Sequence, residues 1–281
     1  MRVSHVNSRF TFLDERQAWN SQMNAPLEIS RRVQGYVQVK TRAERESLIV
    51  GGFTLYLPMG TETGGVGLAL PNQPDSALNP SVLERIERIA AKRGHTVCFH
   101  WLDCYAPGLV ASLNGVGYGV QESTPLLVCE SGQVISPATE PLEMVALSAD
   151  SPLEDVAENW NINARGFDPS ATLAQPTDVL DFRRILEKSR AFTARLDGVG
   201  ISAGMYTDTH DGVTELVGVA TLQAYRRRGI GGALTAFATQ TAFADGASLV
   251  FLTAANEEAG RVYQRVGFRP LGHLRTFAKK V

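Results

Sequence analysis

Hydrophobic and polar positions in the first half of the chain follow the patterns of short strands separated by two helices. Runs rich in β-branched and aromatic residues predict strands at 47–58, 64–71, 96–103 and 119–130. Asn79-Pro80 provides a helix cap with proline in the first turn, and Gly94 provides the end. The apolar face of this helix comprises Val82, Leu83, Ile86, Ile89 and Ala90. A shorter helix is predicted at 107–114, whereas residues 1–30 show no clear pattern.

The second half begins with a predicted strand at 142–149, and two amphipathic helices follow it. Ser151-Pro152-Leu153-Glu154 has the form of a capping box that opens the first of them. Its predicted apolar face comprises Leu153, Val156, Ala157 and Trp160. The second helix is predicted at 178–190, and its inward residues are Val179, Phe182, Ile185 and Leu186.

The remaining pattern predicts strands at 191–196, 199–206, 213–222, 248–254 and 268–281, with helices at 230–244 and 257–266. Asp197-Gly198 and residues 208–212 are hairpin turn signals between the first three of these strands. Antiparallel hairpins followed by a crossover indicate an α/β fold with a mixed sheet.

A small, polar, proline-bearing segment at 131–141 separates the two halves and has the composition of a linker. On either side of it the sequence repeats itself weakly, because residues 109–119 resemble residues 260–270. Each of these segments is a short helix followed by valine, glycine and an aromatic residue. We therefore expect two domains, 1–140 and 141–281, that are divergent copies of one fold.

Composition narrows the possible functions. The chain has 281 residues and a net charge of −2, which argues against a dedicated nucleic-acid-binding protein. Its three cysteines, Cys98, Cys104 and Cys129, are too few for a disulfide framework and fit a reducing cytoplasm. The N-terminus has no apolar signal region, and the uncharged run at 229–244 is too short to span a bilayer. We expect no membrane and no nucleic-acid partner.

The stretch AYRRRGIGGAL at 224–234 combines three arginines with three glycines just before a predicted helix. A dinucleotide-binding fingerprint would need a third glycine where Leu234 stands, and a P-loop would need a terminal Gly-Lys-Ser or Gly-Lys-Thr. A nucleic-acid surface would need further basic residues on the following helix, which has none. What remains is an anion site at a helix N-terminus, in which glycines admit pyrophosphate to backbone N–H groups, or a solvated surface turn.

Two motifs together resemble the GCN5-related N-acetyltransferase (GNAT) superfamily. One is the loop Arg226-Arg227-Arg228-Gly229-Ile230-Gly231, and the other runs from Asn256 through Tyr263 to Gly267-Phe268. The resemblance covers residues 141–281, and the first half shares only the weaker repeat. It implies two GNAT-like mixed-sheet α/β domains in tandem, of which the C-terminal one is complete and the N-terminal one is degenerate.

The resemblance also implies acetyl-CoA as cosubstrate and assigns residues to it. Pyrophosphate would be bound by the loop residues Arg226, Arg227, Arg228, Gly229, Ile230, Gly231 and Gly232. The pantetheine arm would pair with the preceding strand at Val219, Ala220 and Thr221. Asn256 would hydrogen-bond the pantetheine, although an asparagine at this position can equally be a helix cap.

Acetyl transfer to an amine requires a base for the ammonium proton and an acid for the leaving thiolate. The family places its acid at the position of Tyr263, and the equivalent residue in the first half is Leu113, which has no proton to donate. Glu215 is the base candidate, at a position where some family members carry theirs. Three rivals lie in the adjacent turn: Asp208, His210 and Asp211.

The expected activity is transfer of an acetyl group to a primary amine of a small molecule or peptide by direct attack on the thioester. The acceptor site should include Trp160, Asn161, Asn163, Arg165 and Phe167. A non-catalytic acyl-CoA sensor or scaffold is the alternative. His95, Cys98, His100 and Cys104 lack metal-ligand spacing, so no metal is expected. The assembly is expected to be a monomer or a homodimer, with the first half as a possible wall of the acceptor site.

Overall fold

The structure is a computed structural model that describes residues 11–60 and 63–280, with side chains from residue 26 onward. The N-terminal segment that was predicted to lack a signal region includes residues 1–10, which lie outside the described residues. The elements of the first half are α1 (Thr11–Ala43), β1 (Arg45–Val50), β2 (Phe53–Pro58), β3 (Val66–Pro71), α2 (Pro80–Ala91), β4 (Thr96–Leu102), α3 (Leu109–Gly115) and β5 (Tyr118–Glu130).

The second half has the predicted order of elements. It comprises β6 (Glu143–Leu147), α4 (Leu153–Phe167), α5 (Pro176–Ile185), β7 (Arg190–Leu196), β8 (Val199–Tyr206), β9 (Val213–Thr221), a 3₁₀ turn (Gln223–Tyr225), α6 (Ile230–Ala244), β10 (Leu249–Thr253), α7 (Glu257–Arg265) and β11 (Arg269–Lys279). Asp197 and Gly198 both have positive φ, as the Asp-Gly turn between β7 and β8 requires.

The prediction of a single strand at 47–58 was wrong. The chain reverses at Gly51-Gly52, and the two resulting strands pair in register from Arg45 opposite Pro58 to Val50 opposite Phe53. Gly51 has a φ of +60°, which glycine adopts at little cost. The uninterrupted apolar run hides this turn, because both strands of the hairpin are apolar.

Two details of the helices in the second half also differ from prediction. The Ser151 side chain does not cap α4: its Oγ accepts from the Ser148 N–H at 3.0 Å, so no capping box forms there. Leu153 is 41% exposed, and the buried face of α4 comprises Val156, Asn159, Ile162 and Gly166. Helix α5 ends at Ile185, not at 190, and Ile185 is exposed.

All eleven strands form one sheet in the order β1-β2-β3-β4-β11-β5-β10-β9-β8-β7-β6. The two longest strands are exchanged between the halves. β11 lies between β4 and β5, while β5 lies between β11 and β10. The β5–β11 pair is antiparallel, from Arg269 opposite Val128 to Lys279 opposite Tyr118. Each half is therefore completed by a strand from the other.

Helices cover both faces of the sheet in the second half. On β7, Ala191 packs with α4 and α5, whereas its neighbour Phe192 packs edge-on against Phe237 of α6. Since successive side chains of a strand point to opposite faces, α4 and α6 lie on opposite sides. Helix α1, no part of which was predicted from the sequence, contacts β1, β4 and β9 and so spans both halves.

Candidate active site

The cleft lies where β9 and β10 separate. The two strands are paired in parallel only from Val213 opposite Leu249 to Glu215 opposite Phe251. Beyond these pairs a cavity of about 610 Å³ opens between them. Its walls include β9 from Leu216 to Thr221, the end of α4 at Gly166 and Phe167, and Tyr263 of α7. The predicted strand residues Val219, Ala220 and Thr221 are thus brought to one cavity.

A bulge in β9 shapes the middle of this cleft. Ala203 of β8 pairs with Ala220 and Met205 pairs with Val217, so an extra residue of β9 lies between the two pairs. Gly218 there has a φ of +65°, and the Asn163 side-chain amide of α4 donates to its carbonyl. A Cβ at Gly218 would lie 2.9 Å from Asn163 Nδ2, so only glycine fits.

The arginine-glycine loop forms a second cavity of about 520 Å³. Gly229, with a φ of +80°, is the residue that caps α6, and the first bond of the helix is Ala233 N–H to the Gly229 carbonyl at 3.0 Å. The N–H groups of Ile230, Gly231 and Gly232 have no acceptor among the residues that the structure describes. They line a cavity that shares Thr221 and Arg226 with the β9–β10 cleft.

The three arginines of this loop have different roles in the structure. Arg226 points inward, and its guanidinium donates to the carbonyls of Thr221 at 3.1 Å and Gly166 at 2.5 Å. Arg227 lines the cavity and has a φ of +61°, which is unusual for a residue with a side chain. Arg228 points away from the cavity, pairs with Glu140 at 2.5 Å and stacks over the Tyr225 ring.

The opposite wall of this cavity is formed by α7. Arg261 and Arg265 lie one helical turn apart on its exposed side and line the cavity with Glu258. Neither arginine was among the residues predicted from the sequence. Their spacing of four residues, on the first helix after the buried strand of the motif, was the available signal.

Tyr263 lies at the inner end of the β9–β10 cleft. Its ring packs 6.3 Å from that of Phe268, centroid to centroid, and burial raises the pKa of its phenol. The hydroxyl is therefore protonated at neutral pH and can act as an acid. The pseudo-equivalent Leu113 is fully buried in the core of the first half.

Glu215 lies on β9 beside helix α1. Burial raises the pKa of its carboxyl to about 7, and the positive charge of Lys40 on α1 opposes this shift. Thr207 donates its N–H to the Glu215 carbonyl at 2.9 Å, and the Thr207 hydroxyl is bonded to the Tyr36 hydroxyl of α1. A carboxyl that titrates near 7 is matched to the removal of a proton at physiological pH.

The two aspartates among the rival bases in the turn are less suited to this role. Asp208 accepts from Lys40 at 2.5 Å and from His210 at 2.8 Å. Burial raises the pKa of Asp208, but these two hydrogen bonds outweigh it and leave the pKa below its ordinary value. Asp211 is exposed at the tip of the turn, with a φ of +49°. A weakly basic or solvated carboxylate is a poor proton acceptor.

Of the two roles considered for Asn256, the structure shows the helix cap. Its Oδ1 accepts from the Ala259 N–H at 2.9 Å at the start of α7. The residue is exposed, and it does not line either of the two cavities.

The residues predicted around the acceptor divide into two groups. Phe167 lines the cleft and is 64% exposed, and Asn163 donates to the carbonyl of Gly218 in the cleft wall. Trp160 instead packs its ring 5.4 Å from Phe182, and the Asn161 side chain accepts from the Ala174 N–H. Arg165 is exposed on α4 and lines neither cavity.

The first half has an equivalent strand separation, between β3 and β4, and it is filled. Their parallel pairing stops at Ala69 opposite Phe99. Past this point Gln38 of α1 donates to the Pro71 carbonyl at 2.8 Å, and Gln34 accepts from the Leu102 N–H at 2.9 Å. Tyr105 donates to the Asn72 carbonyl at 2.8 Å. These three backbone groups at the separation are therefore already bonded within the chain.

The four histidines and cysteines weighed as metal ligands do not converge. Across residues 11–60 and 63–280, no group of three or more metal-ligating side chains comes together. His100 is hydrogen-bonded to Thr276 at 3.0 Å instead. Within the same ranges, no helix is long and apolar enough to cross a membrane.

Sequence comparison bears directly on the cleft. Residues 156–268 match the profile of the acetyltransferase (GNAT) family, and they contain the bulge, the loop and Tyr263. This segment is a GNAT domain. The matched segment contains strands β7 to β10, and with them the point at which β9 and β10 separate. Among curated proteins, no sequence matches the chain significantly.

Solved structures extend the likeness to both halves. A GCN5-related N-acetyltransferase from Kribbella flavida is 26% identical, with 90% of this chain and 96% of that one aligned and a TM-score of 0.69. A tandem GNAT protein from the clavulanic acid biosynthesis pathway is 14% identical over 81% and 78% of the two chains, with a TM-score of 0.57. A Sphaerobacter thermophilus GCN5-related N-acetyltransferase is 15% identical over 80% and 76%, with a TM-score of 0.54. The tandem GNAT fold therefore extends over the whole chain and not only over the GNAT domain.

Proposed function

We propose that the chain is an acetyl-CoA-dependent N-acetyltransferase that acetylates a primary amine of a small molecule or peptide. One observation carries the proposal: the free N–H groups of Ile230, Gly231 and Gly232 line a cavity that continues into the cleft containing Tyr263. One acyl-CoA would span both cavities, with its pyrophosphate oxygens in the first and its thioester in the second.

The residues present fit this cosubstrate. Backbone N–H groups at the start of α6, reinforced by the helix dipole, would hold the pyrophosphate. The edge of β9 from Val219 to Thr221, which β10 leaves unpaired, would bond the pantetheine amides. The bulge at Gly218 would direct backbone N–H groups toward the thioester oxygen and stabilise its charge in the transition state.

The proposed proton steps use two side chains. Glu215 takes a proton from the acceptor ammonium, directly or through water, and leaves a neutral amine. As the amine attacks, the new C–N bond forms and the C–S bond breaks. Tyr263 donates its phenolic proton to the departing thiolate. The nitrogen loses its second proton as the amide forms, and this proton passes to the Tyr263 phenolate, directly or through water, while Glu215 returns its own proton to solvent. The raised pKa of Tyr263 keeps that proton available over the physiological range.

The division of the chain at residue 140 and the degeneracy of the first half are part of this proposal. Filling of the β3–β4 gap by Gln34, Gln38 and Tyr105 supports a single acyl-CoA site per chain. Helix α1 of the first half lies over β9 beside Glu215 and would wall the acceptor site. We place the protein in the cytoplasm, as a monomer or homodimer, with its three cysteines free.

The test measures thiol release from acetyl-CoA with a panel of primary amines, for the natural protein and for Tyr263→Phe. We expect amine-dependent thiol release that falls in the variant by about 10- to 1000-fold in kcat, with the Kd for acetyl-CoA little changed. Tyr105→Phe removes a hydroxyl from the filled gap of the first half and should leave kcat unchanged. CoA binding without amine-dependent release would favour the sensor or scaffold instead.

A further inference from the structure

Two arginines on α7 face the loop cavity without a partner. Arg261 and Arg265 line it from the side opposite the loop, and neither forms an ion pair or a side-chain hydrogen bond within the described part of the chain. Two nearby arginines differ: Arg228 is paired with Glu140, and Arg269 is paired with Glu130 at 2.8 Å. Two unpaired cations one helical turn apart in a concave site are suited to a ligand of high negative charge.

The cavity offers two separate sets of anion donors. One wall presents the backbone N–H groups of Ile230, Gly231 and Gly232 together with Arg227. The other presents the guanidinium groups of Arg261 and Arg265, and Glu258 is the single acidic residue that lines the cavity. The first set suffices for a pyrophosphate, whose two phosphates carry about one charge each. The second set is therefore available to another anionic group on the same ligand.

We propose that Arg261 and Arg265 bind the 3′-phosphate of coenzyme A and make the site selective for coenzyme A over its 3′-dephospho form. This inference rests on the proposed use of acetyl-CoA. A phosphomonoester carries a charge of about −1.5 to −2 at neutral pH and presents three acceptor oxygens. The forked donors of an arginine guanidinium can bond two of these oxygens at once, whereas a single backbone N–H can bond only one.

The internal repeat of the chain offers a contrast. Since Gly267 corresponds to Gly117, Arg261 and Arg265 correspond to Ala111 and Gly115 on α3. The first half lacks the arginine-glycine loop, and it also lacks this pair of cations. The two features are present together in one half and absent together in the other.

The experiment measures the Kd of coenzyme A and of 3′-dephospho-coenzyme A by calorimetry for the full chain and for Arg261→Ala/Arg265→Ala. We expect the natural chain to bind the dephospho form at least about tenfold more weakly. In the double variant the Kd of coenzyme A should rise to that of the dephospho form, whose own Kd should change less than about twofold. The control Arg85→Ala/Arg88→Ala removes two exposed arginines from α2 and should preserve the natural ratio.

Two outcomes would overturn the inference while leaving the proposed function in place. One is equal binding of both ligands by the natural chain. The other is equal weakening of both by the double variant, which would mean that the arginines act on the pyrophosphate or on the fold. Absence of any coenzyme A binding by the natural chain would instead overturn the proposed function, and this inference with it.

Discussion

Glu215 is held in an environment that opposes its ionisation. Burial raises the pKa of its carboxyl from an ordinary value of 4.5 to about 7. Because the folded state holds this proton more tightly than the unfolded state, stability falls as the pH rises from about 4.5 to 7. A base whose pKa lies near neutrality is useful for catalysis, but above pH 7 its ionised form lowers the stability of the folded state.

Glu215→Gln should therefore make the protein more stable and less active. Above pH 7 the variant avoids an ionised buried carboxylate, so its Tm should exceed that of the natural protein, and the difference should vanish below about pH 4.5. Its kcat/KM should fall by about 100-fold or more. Thermal unfolding and rate profiles from pH 4 to 9 check both. An unchanged rate would assign the base to another residue, with Asp208→Asn as the next variant.

Gly231 tests whether backbone or side chain carries the anion site. A Cβ there would lie 3.3 Å from Thr221 Oγ1, with no positive φ, so Gly231→Val mainly fills the space in front of the free N–H groups. We expect it to raise the KM for acetyl-CoA by more than about tenfold, whereas Arg227→Ala raises it less. Initial rates measured over a range of acetyl-CoA concentrations at saturating amine give the KM of each variant. A larger effect of Arg227→Ala would assign the site to side-chain charge.

At the scale of elements, α4 sets the shape of β9. Gly166 lets the end of α4 approach closely, because a Cβ there would lie 2.7 Å from Ala220 Cβ. From the same helix Asn163 donates to the Gly218 carbonyl and satisfies a group that the bulge leaves without a β8 partner. The bulge is thus held by a helix, and Asn163 is a positioning residue.

Asn163→Ala should lower kcat with a smaller effect on the KM for acetyl-CoA. Without the amide, the Gly218 carbonyl loses its partner and the bulge can relax, so donors aimed at the thioester oxygen move out of place. We expect a loss of about 10-fold in kcat, and part of it should return in Asn163→Gln if the longer amide still reaches. An equal loss in CoA affinity would indicate a general distortion of the cleft.

Sequence periodicity predicted most elements of the second half, because three of its four described helices are amphipathic and its turns carry Asp-Gly signals. It failed where both sides of a turn were apolar, as at Gly51-Gly52. It also failed at Ser151, whose side chain bonds the backbone behind it, an alternative open to any serine before a helix. Helix α1 was missed over its whole length: residues 1–30 show no clear apolar pattern, and no helix was predicted at 31–43.

At the scale of the whole molecule, the exchange of β5 and β11 joins the halves. Without residues 1–140 the β10 edge would have no β5 to pair with, and without residues 141–281 the β4 edge would lose β11. Helix α1 adds a second link, since Lys40 and Tyr36 bond Asp208 and Thr207 of the other half. We expect the halves to depend on each other for folding.

Expression of 1–140 and 141–281 as separate chains tests this dependence. Each fragment has an exposed sheet edge, so we expect both to be aggregation-prone and the second not to bind coenzyme A alone. The full chain should unfold in one cooperative transition, and a full chain cleaved within 131–141 should remain associated. Native affinity for coenzyme A in the isolated fragment 141–281 would show that the exchange is not needed for the site.

The sequence by itself determined the kind of fold, the arginine-glycine loop and the correspondence of Tyr263 in the second half to Leu113 in the first. These depend on local patterns and short motifs. Only the tertiary structure decided that the halves exchange strands, that Arg228 turns to Glu140 and that Arg261 and Arg265 face the loop. It also decided that Glu215 is partly buried beside Lys40. These features depend on residues far apart in the chain, whose contacts and desolvation no local pattern encodes.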